Sequence, residues 1–143
     1  MGHEKMATNL AEEPLAKAAV QSKLAGVKPA SIFLVEDEAI IRMMLSEMMY
    51  DLGHVVVAEA GSLAAARPLA ETAEFDLAIL DINIGGFNIR PIAEIIERRG
   101  LPFLFVTGYG AAGLPDTFRD RPVLDKPCSF QNLKQSVDLL LHS

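Results

Sequence analysis

Short apolar runs alternate with helix-like segments from residue 31 to the end of the chain. The runs include IFLV, HVVVAEA, LAILD, FLFV and PVL, and apolar residues recur at helical spacing between the first four. Strands that alternate with helices pair in parallel through right-handed crossovers, so their carboxyl ends meet at one edge of the sheet. The alternation predicts an α/β fold of the (βα)5 type, with a poorly specified fourth helix.

Composition restricts the class of protein. The chain has 143 residues, half of them hydrophobic, which is enough for one domain with a core. The formal net charge is −6 and no Lys/Arg run occurs, which disfavours nucleic-acid binding. The single cysteine, Cys128, fits a reducing compartment, and no apolar stretch is long enough for a membrane span. We therefore expect a cytoplasmic protein that binds neither nucleic acid nor membrane.

Residues 1–30 differ in composition from the rest and are interpreted as an N-terminal extension before a domain at 31–143. The extension is rich in Ala, Glu and Lys and ends in GVKPA. Pro14 suits a first helical turn, and LAKAAVQSKLA continues a helical pattern up to Gly26. Because an isolated helix of this length is marginal in water, the segment is either a frayed tail or a docking arm.

Polar residues directly follow four of the predicted strands. Glu36 and Asp37 follow the first strand, Asp81 ends the third, Thr107 follows the fourth and Lys126 follows the fifth. Ligands of open α/β sheets bind outside the carboxyl ends of the strands. We therefore expect these five side chains to form one site.

Three carboxylates that converge repel one another, so the site calls for a proton or a cation. Mg²⁺ takes hard oxygen ligands and is usually held by one or two carboxylates together with phosphate oxygens. Asp37 and Asp81 are the predicted direct ligands, with Glu36 nearby and acting through water. The turn after Asp81 can add a backbone carbonyl, for which Asn83 is the candidate by position.

The remaining members of the site suit phosphoryl transfer. Lys126 and Thr107, together with the metal, can neutralise and hold the oxygens of a phosphoryl group. A carboxylate then acts as the nucleophile and forms an aspartyl phosphate, and Asp81 fits this role best.

This pattern resembles the receiver domain of two-component response regulators, over residues 31–141. Narrower similarity lies in Phe105-Val106-Thr107-Gly108-Tyr109, which resembles the "FAT GUY" subfamily of stand-alone alphaproteobacterial receivers. The resemblance implies a flavodoxin-like three-layer sandwich with strand order 2-1-3-4-5. It also implies Mg²⁺-dependent phosphorylation of Asp81 by a sensor histidine kinase and slow autodephosphorylation, with Thr107 moving onto the phosphoryl group and Lys126 contacting it.

The sequence departs from the receiver pattern at two places. Val123 stands where many receivers have a Tyr or Phe that rotates inward when the threonine moves. Tyr109 either takes over part of this switch, as the resemblance suggests, or simply covers a neighbouring strand. Gly85-Gly86 replaces the Met-Pro often found after the phosphorylated turn.

The first predicted helix carries four of the six methionines. Ile40, Met43 and Met44 exceed a single core-facing stripe, and a flexible apolar patch suits transient recognition of a partner helix. Receivers generally dock their kinase near this helix, so the resemblance points to the same surface. The alternative is that these side chains are all buried against the last helix or the extension.

The leading hypothesis is a single-domain response regulator, because the chain ends about one helix after Lys126. Such a protein is not an enzyme, and it signals through contact with a downstream protein or acts as a phosphate sink. The enzyme alternative is an aspartyl-nucleophile phosphatase of the haloacid dehalogenase type. Those phosphatases need a second Asp two residues after the nucleophile, and Asn83 occupies that position. A binding module that is never phosphorylated is a third possibility.

Overall fold

A computed structural model of the chain describes residues 15–16, 19–20, 28–108, 113–114 and 116–142. The described elements follow the predicted order, except that two additional short strands follow the third strand and no α-helix is described between the last two strands. They are β1 (Ser31–Val35), α1 (Ala39–Asp51), β2 (Val55–Ala60), α2 (Leu63–Thr72), β3 (Leu77–Asp81), β4 (Asn83–Ile84), β5 (Phe87–Asn88), α3 (Arg90–Arg98), β6 (Phe103–Thr107), β7 (Val123–Asp125) and α4 (Phe130–Leu141).

Five strands form one parallel sheet in the order β2-β1-β3-β6-β7. With β6 and β7 as the fourth and fifth predicted strands, this order confirms the predicted 2-1-3-4-5 arrangement. All five residues of β3 are buried, as are all five of β6. The nearly continuous apolar runs LAILD and FLFV are explained because β3 and β6 are covered on both faces of the sheet.

Alternate residues of the strands feed two separate hydrophobic clusters. Phe33 and Val35 of β1 pack in a cluster with residues of α2 and α3, whereas Ile32 and Leu34 pack with residues of α1 and α4. Because successive strand side chains point to opposite faces, this split places two helices on each side of the sheet. The fold is the predicted three-layer α/β sandwich.

Several helix boundaries follow from local chemistry that the sequence shows. The hydroxyl of Ser62 accepts a hydrogen bond from the Ala65 amide at 3.1 Å and caps α2. Ser129 caps α4 in the same way, accepting from the Asn132 amide at 3.0 Å. Both serines satisfy amides that lack a partner within the helix.

The segment after Asp81 differs from the sequence prediction. A helix is predicted from Phe87, but Phe87–Asn88 instead pairs with Asn83–Ile84 in an antiparallel hairpin, and α3 begins at Arg90. Gly85 and Gly86 form the turn with φ values of 58° and 87°, which glycine adopts at little cost. The two glycines therefore close a small hairpin directly behind Asp81.

Two predicted segments are covered only in part. The fourth helix is predicted at AAGLPDTF, residues 111–118, and the described residues of that segment include a 3₁₀ turn at Asp116–Phe118. Of residues 1–27, the structure describes four, Leu15, Ala16, Ala19 and Val20, which are helical and exposed, and the rest lie outside the described residues. No helix in the described ranges combines the length and apolar character that crossing a membrane requires.

His54 is buried at the start of β2, where only 1% of it is exposed. Its Nδ1 accepts a hydrogen bond from the Ala30 amide at 3.0 Å and so ties β1 to the α1–β2 turn. Burial lowers the pKa of the imidazole, and this effect outweighs the nearby carboxylates of Asp76 and Asp138, which raise it. His142 acts in the same direction as burial. The folded protein therefore favours neutral His54.

The raised pKa of Glu36 acts in the opposite direction over the same pH range, so the contribution of His54 is the difference in pH dependence between the wild type and His54→Asn. We predict that this contribution to the free energy of unfolding falls as the pH drops below about 6.5, the ordinary pKa of histidine. The unfolded chain takes up the proton before the folded protein does, with a slope of at most about 1.4 kcal/mol per pH unit. Urea unfolding between about pH 8 and about pH 5 measures this slope. His54→Asn keeps an acceptor at the δ position but does not titrate, so an unchanged slope in that variant contradicts the assignment.

Candidate functional site

The carboxyl edge of the parallel sheet collects the predicted site residues. Glu36 and Asp37 follow β1, Asp81 is the last residue of β3, and Lys126 follows β7. Asp81 lies in register with Val106 of β6. Thr107, the last residue of β6, therefore lies one position beyond Asp81 toward the carboxyl edge. The lysine reaches the edge because its amide donates to the Thr107 carbonyl at 2.8 Å, which extends the ladder by one bond.

Lys126 joins two carboxylates that come from different strands. Its Nζ lies 2.9 Å from Asp81 Oδ2 and 2.5 Å from Glu36 Oε1. The three side chains are 15%, 8% and 1% exposed, respectively, so the charges are largely withdrawn from water. Buried carboxylates are strongly disfavoured unless they are paired, and the ammonium supplies the pairing.

Burial and hydrogen bonding have opposite effects on the pKa values of the charged groups in the site. Burial raises the pKa of Glu36 to about 7, against the hydrogen bond to Lys126, which lowers it. For Lys126, burial lowers the pKa, but hydrogen bonds to Glu36 and Asp81 outweigh it and leave the pKa raised. The pKa of Asp37 is held below its ordinary value because the Gly85 amide and Glu36 outweigh burial. Lys126 and Asp37 are therefore charged at neutral pH.

The loop after β1 holds a cluster of three carboxylates. Oxygen atoms of Glu36, Asp37 and Glu38 all lie within 4.8 Å of one another. Glu36 Oε2 accepts a hydrogen bond from the Glu38 amide at 3.1 Å. The sequence alone suggests that Glu38 is merely a solvated charge at a helix start. In the structure it is exposed, but it also lines the same cavity as Asp37 and Asp81.

Backbone amides of the hairpin hold the other carboxylates in place. Asp37 Oδ2 accepts from the Gly85 amide at 2.8 Å, and Asp81 Oδ1 accepts from the Asn83 amide at 3.3 Å. The side-chain oxygen of Asn83 in turn accepts from the Gly86 amide at 3.1 Å. The hairpin is thus connected to both aspartates.

These side chains surround an open cavity of about 390 Å³. The cavity is lined by Asp37, Glu38, Asp81, Asn83, Gly86, Gly108 and Lys126. Thr107 is 1% exposed and immediately precedes one of the lining residues. Tyr109, the predicted switch residue, lies outside the described residues. The structure therefore brings together the predicted carboxylates, Asn83 and Lys126, with Thr107 buried at the adjacent strand end.

The donor set suits a hard divalent cation. Asp37, Glu38 and Asp81 line the same cavity, and carboxylate oxygens are ligands that Mg²⁺ prefers. Softer ligands do not contribute to this cavity among the described residues. The residues present therefore fit Mg²⁺.

Arg42 supports the loop that carries the site and was not identified from the sequence. Its Nη1 donates to the Glu36 carbonyl at 2.6 Å from the first turn of α1. A cation at the start of a helix is unfavourable to the helix dipole, so a basic residue there indicates another partner. The position of this arginine near the start of a predicted helix is the feature of the sequence that indicates a contact outside the helix.

The predicted apolar surface on α1 is exposed. Ile40, Met43 and Met44 are 71%, 56% and 47% exposed, so the alternative that all of them are buried is wrong. Beside them lies an apolar groove of about 340 Å³ between α1 and the segment from Lys126 to Cys128. Lys126 lines both this groove and the acidic cavity.

Comparison with known proteins identifies the family. Residues 32–138 match the response regulator receiver domain. The transcriptional regulatory protein PdtaR of Mycobacterium tuberculosis is 34% identical over 115 residues. That match covers 78% of this chain and 56% of PdtaR, so the chain spans about half the length of this curated relative.

Solved structures agree with this match. The solution structure of SdrG from Sphingomonas melonis Fr1 has a TM-score of 0.70 and 38% identity, and the match covers 78% of this chain and 95% of SdrG. The response regulator PhyR from Brucella abortus, at 24% identity and a TM-score of 0.69, shares the fold over 80% of this chain and 49% of PhyR. The chain therefore belongs to the response regulator receiver domain family, the phosphoacceptor modules of two-component signalling.

Proposed function

We propose that this chain accepts a phosphoryl group on Asp81 from a sensor histidine kinase in a Mg²⁺-dependent reaction. The observation that carries the proposal is the position of Lys126 Nζ, 2.9 Å from Asp81 Oδ2. A fixed ammonium beside the nucleophile can stabilise the charge of a transferred phosphoryl group, which is most of what phosphoryl transfer requires.

In the proposed transfer, a carboxylate oxygen of Asp81 attacks the phosphorus of a phosphohistidine. The new O–P bond forms as the P–N bond breaks, and the electron pair of that bond returns to the imidazole of the kinase, which takes a proton from solvent. Lys126 then pairs with the phosphoryl oxygens instead of the free carboxylate. Thr107, at the neighbouring strand end, is proposed to move onto the phosphoryl group, and Tyr109 to take part in that switch.

Asp37 and Asp81 would hold Mg²⁺, with Glu36 acting through water and Asn83 through its backbone carbonyl. The bound ion would neutralise charge on the attacking carboxylate and the phosphoryl oxygens. Support comes from the shared cavity of Asp37, Asp81 and Asn83, and from the Gly85 amide that keeps Asp37 ionised.

We propose that the kinase docks on the exposed apolar residues of α1, which are Ile40, Met43 and Met44. The adjoining groove ends at Lys126, so a partner seated there comes next to the acidic cavity. Methionine side chains adapt to different apolar surfaces, which suits a transient complex. The phosphorylated protein then acts through contact with a downstream protein or as a phosphate sink. No observation favours the phosphatase alternative, since Asn83 holds the position of its second aspartate.

Replacing the nucleophile is expected to abolish labelling. Asp81→Asn has no carboxylate at the end of β3, so neither acetyl phosphate with Mg²⁺ nor a histidine kinase should label it above background. Phosphotransfer profiling against candidate kinases and intact-protein mass spectrometry measure the result. Asp120→Asn changes an exposed carboxylate outside the cavity and should be labelled like the wild type. If Asp81→Asn is labelled as well as the wild type, the proposal fails.

A substitution on the exposed surface of α1 should slow phosphoryl transfer from the kinase but not labelling by a small phosphate donor. Met44→Asp places a charge in the apolar surface, and we expect transfer from the kinase to slow by about tenfold or more, as for loss of an interface contact. Labelling by acetyl phosphate should stay within about twofold, because that small donor needs no docking surface. Leu139→Asp alters an exposed leucine of α4 outside the groove and serves as the control. Equal slowing with both donors would contradict the docking proposal.

A further inference from the structure

Arg42 connects the acidic loop to the end of a neighbouring strand. Its Nη1 donates to the Glu36 carbonyl at 2.6 Å, and its Nε lies 3.5 Å from Glu59 Oε1 of β2. Only a quarter of the side chain is exposed. The planar guanidinium has donors in a fixed fork, so one arginine can hold both partners at once.

The backbone around Arg42 leaves room for this contact. A Cβ atom at Gly61 would lie 2.8 Å from Arg42 Nη1 and 3.7 Å from the Glu36 carbonyl oxygen. A Cβ atom at position 61 would therefore crowd the end of the Arg42 side chain, which would have to shift. Gly61, which follows β2, leaves the space that the guanidinium occupies in its contact with the Glu36 carbonyl.

Glu36 is consequently held on both sides of its backbone. Its amide donates to the Ala60 carbonyl at 3.0 Å, and its own carbonyl accepts from Arg42. That carbonyl belongs to the planar peptide unit that joins Glu36 to Asp37. Fixing this unit also fixes the direction in which the Asp37 Cα leaves it, and hence where the carboxylate is presented.

The position of Arg42 has an energetic cost that its contacts offset. A cation in the first turn of α1 is opposed by the helix dipole. The Glu59 ion pair is half-exposed and contributes little by itself, since pairs of that kind are typically weak. The short bond to the Glu36 carbonyl is the contact that links this arginine to the site.

We propose that Arg42, together with Gly61, acts as a positioning residue that orients the Glu36–Asp37 peptide so that the Asp37 carboxylate is presented to the cation cavity. The inference rests on the proposed Mg²⁺ requirement. Arg42 touches neither the metal cavity nor the phosphoryl acceptor, and it acts through the backbone of the loop. Mutating a residue that orients a metal ligand in this way commonly weakens metal binding by about 10- to 100-fold.

The test compares four variants by Mg²⁺ titration calorimetry. Arg42→Met should bind Mg²⁺ about tenfold more weakly than the wild type, and Gly61→Ala should weaken binding in the same direction. Arg42→Lys should recover part of the affinity, because an ammonium can still donate to the carbonyl. Glu59→Gln loses the ion pair but keeps the carbonyl contact, so it should bind within about twofold of the wild type.

A second readout needs no metal. In the metal-free protein, hydrogen exchange of the Glu38 amide, which donates to Glu36 Oε2, should accelerate in Arg42→Met but not in Glu59→Gln. Thermal unfolding of each variant separates this local effect from a loss of global stability. If Arg42→Met does not fold, Arg42→Lys and Gly61→Ala carry the comparison.

Two results overturn the inference. In the first, the wild type binds Mg²⁺ and both Arg42→Met and Gly61→Ala bind it as tightly as the wild type does. That result leaves the proposed function intact. The other is Glu59→Gln weakening binding as much as Arg42→Met does, because the ion pair and not the carbonyl contact would then be responsible. A wild type that binds no Mg²⁺ contradicts the proposed function itself and the inference with it.

Discussion

The ammonium of Lys126 is the interaction on which the carboxyl edge of the sheet depends. Glu36 and Asp81 are almost fully withdrawn from water and come from different strands, so without a cation between them their charges would repel. The lysine arrives from the far edge of the sheet, after β7. The pairing is therefore complete only when β1, β3, β6 and β7 are in their final order, and the site and the fold stabilise each other.

Backbone groups form a second layer around this charge centre. The hairpin behind Asp81 offers its amides to Asp37 and Asp81, while Arg42 holds the carbonyl of Glu36. These contacts order the oxygen atoms before any ligand arrives, which lowers the reorganisation that binding requires. Gly85 has two roles in this layer: its positive φ closes the turn of the hairpin, and its amide donates to Asp37.

Lys126 also links the chemistry to the proposed docking surface. It lines the acidic cavity on one side and the apolar groove beside α1 on the other. A partner that fills the groove would therefore lie against Lys126, the residue whose ammonium pairs with Asp81. This shared residue gives a physical route by which partner binding and phosphorylation can influence each other.

Local signals in the sequence were sufficient for most of the fold. Ser62 and Ser129 mark helix starts because their hydroxyls cap amides within three residues, and the buried strands are visible as continuous apolar runs. The convergence of the carboxylates with Lys126 was also predictable, because parallel strands must end at one edge. The hairpin after Asp81 was not, since Phe87 and Asn88 fit a helix start as well as a short strand.

Local sequence patterns thus specify the layered α/β architecture and the residue types that meet at the carboxyl edge of the sheet. The folded chain shows how those residues are held: His54 is bonded to Ala30, Arg42 is bonded to Glu36 beside Gly61, and Lys126 lies between Glu36 and Asp81. The difference between the two is one of range along the chain. Periodicity and capping act within a few residues, whereas these contacts join groups from distant parts of the chain, and their distances exist only once the sheet has assembled.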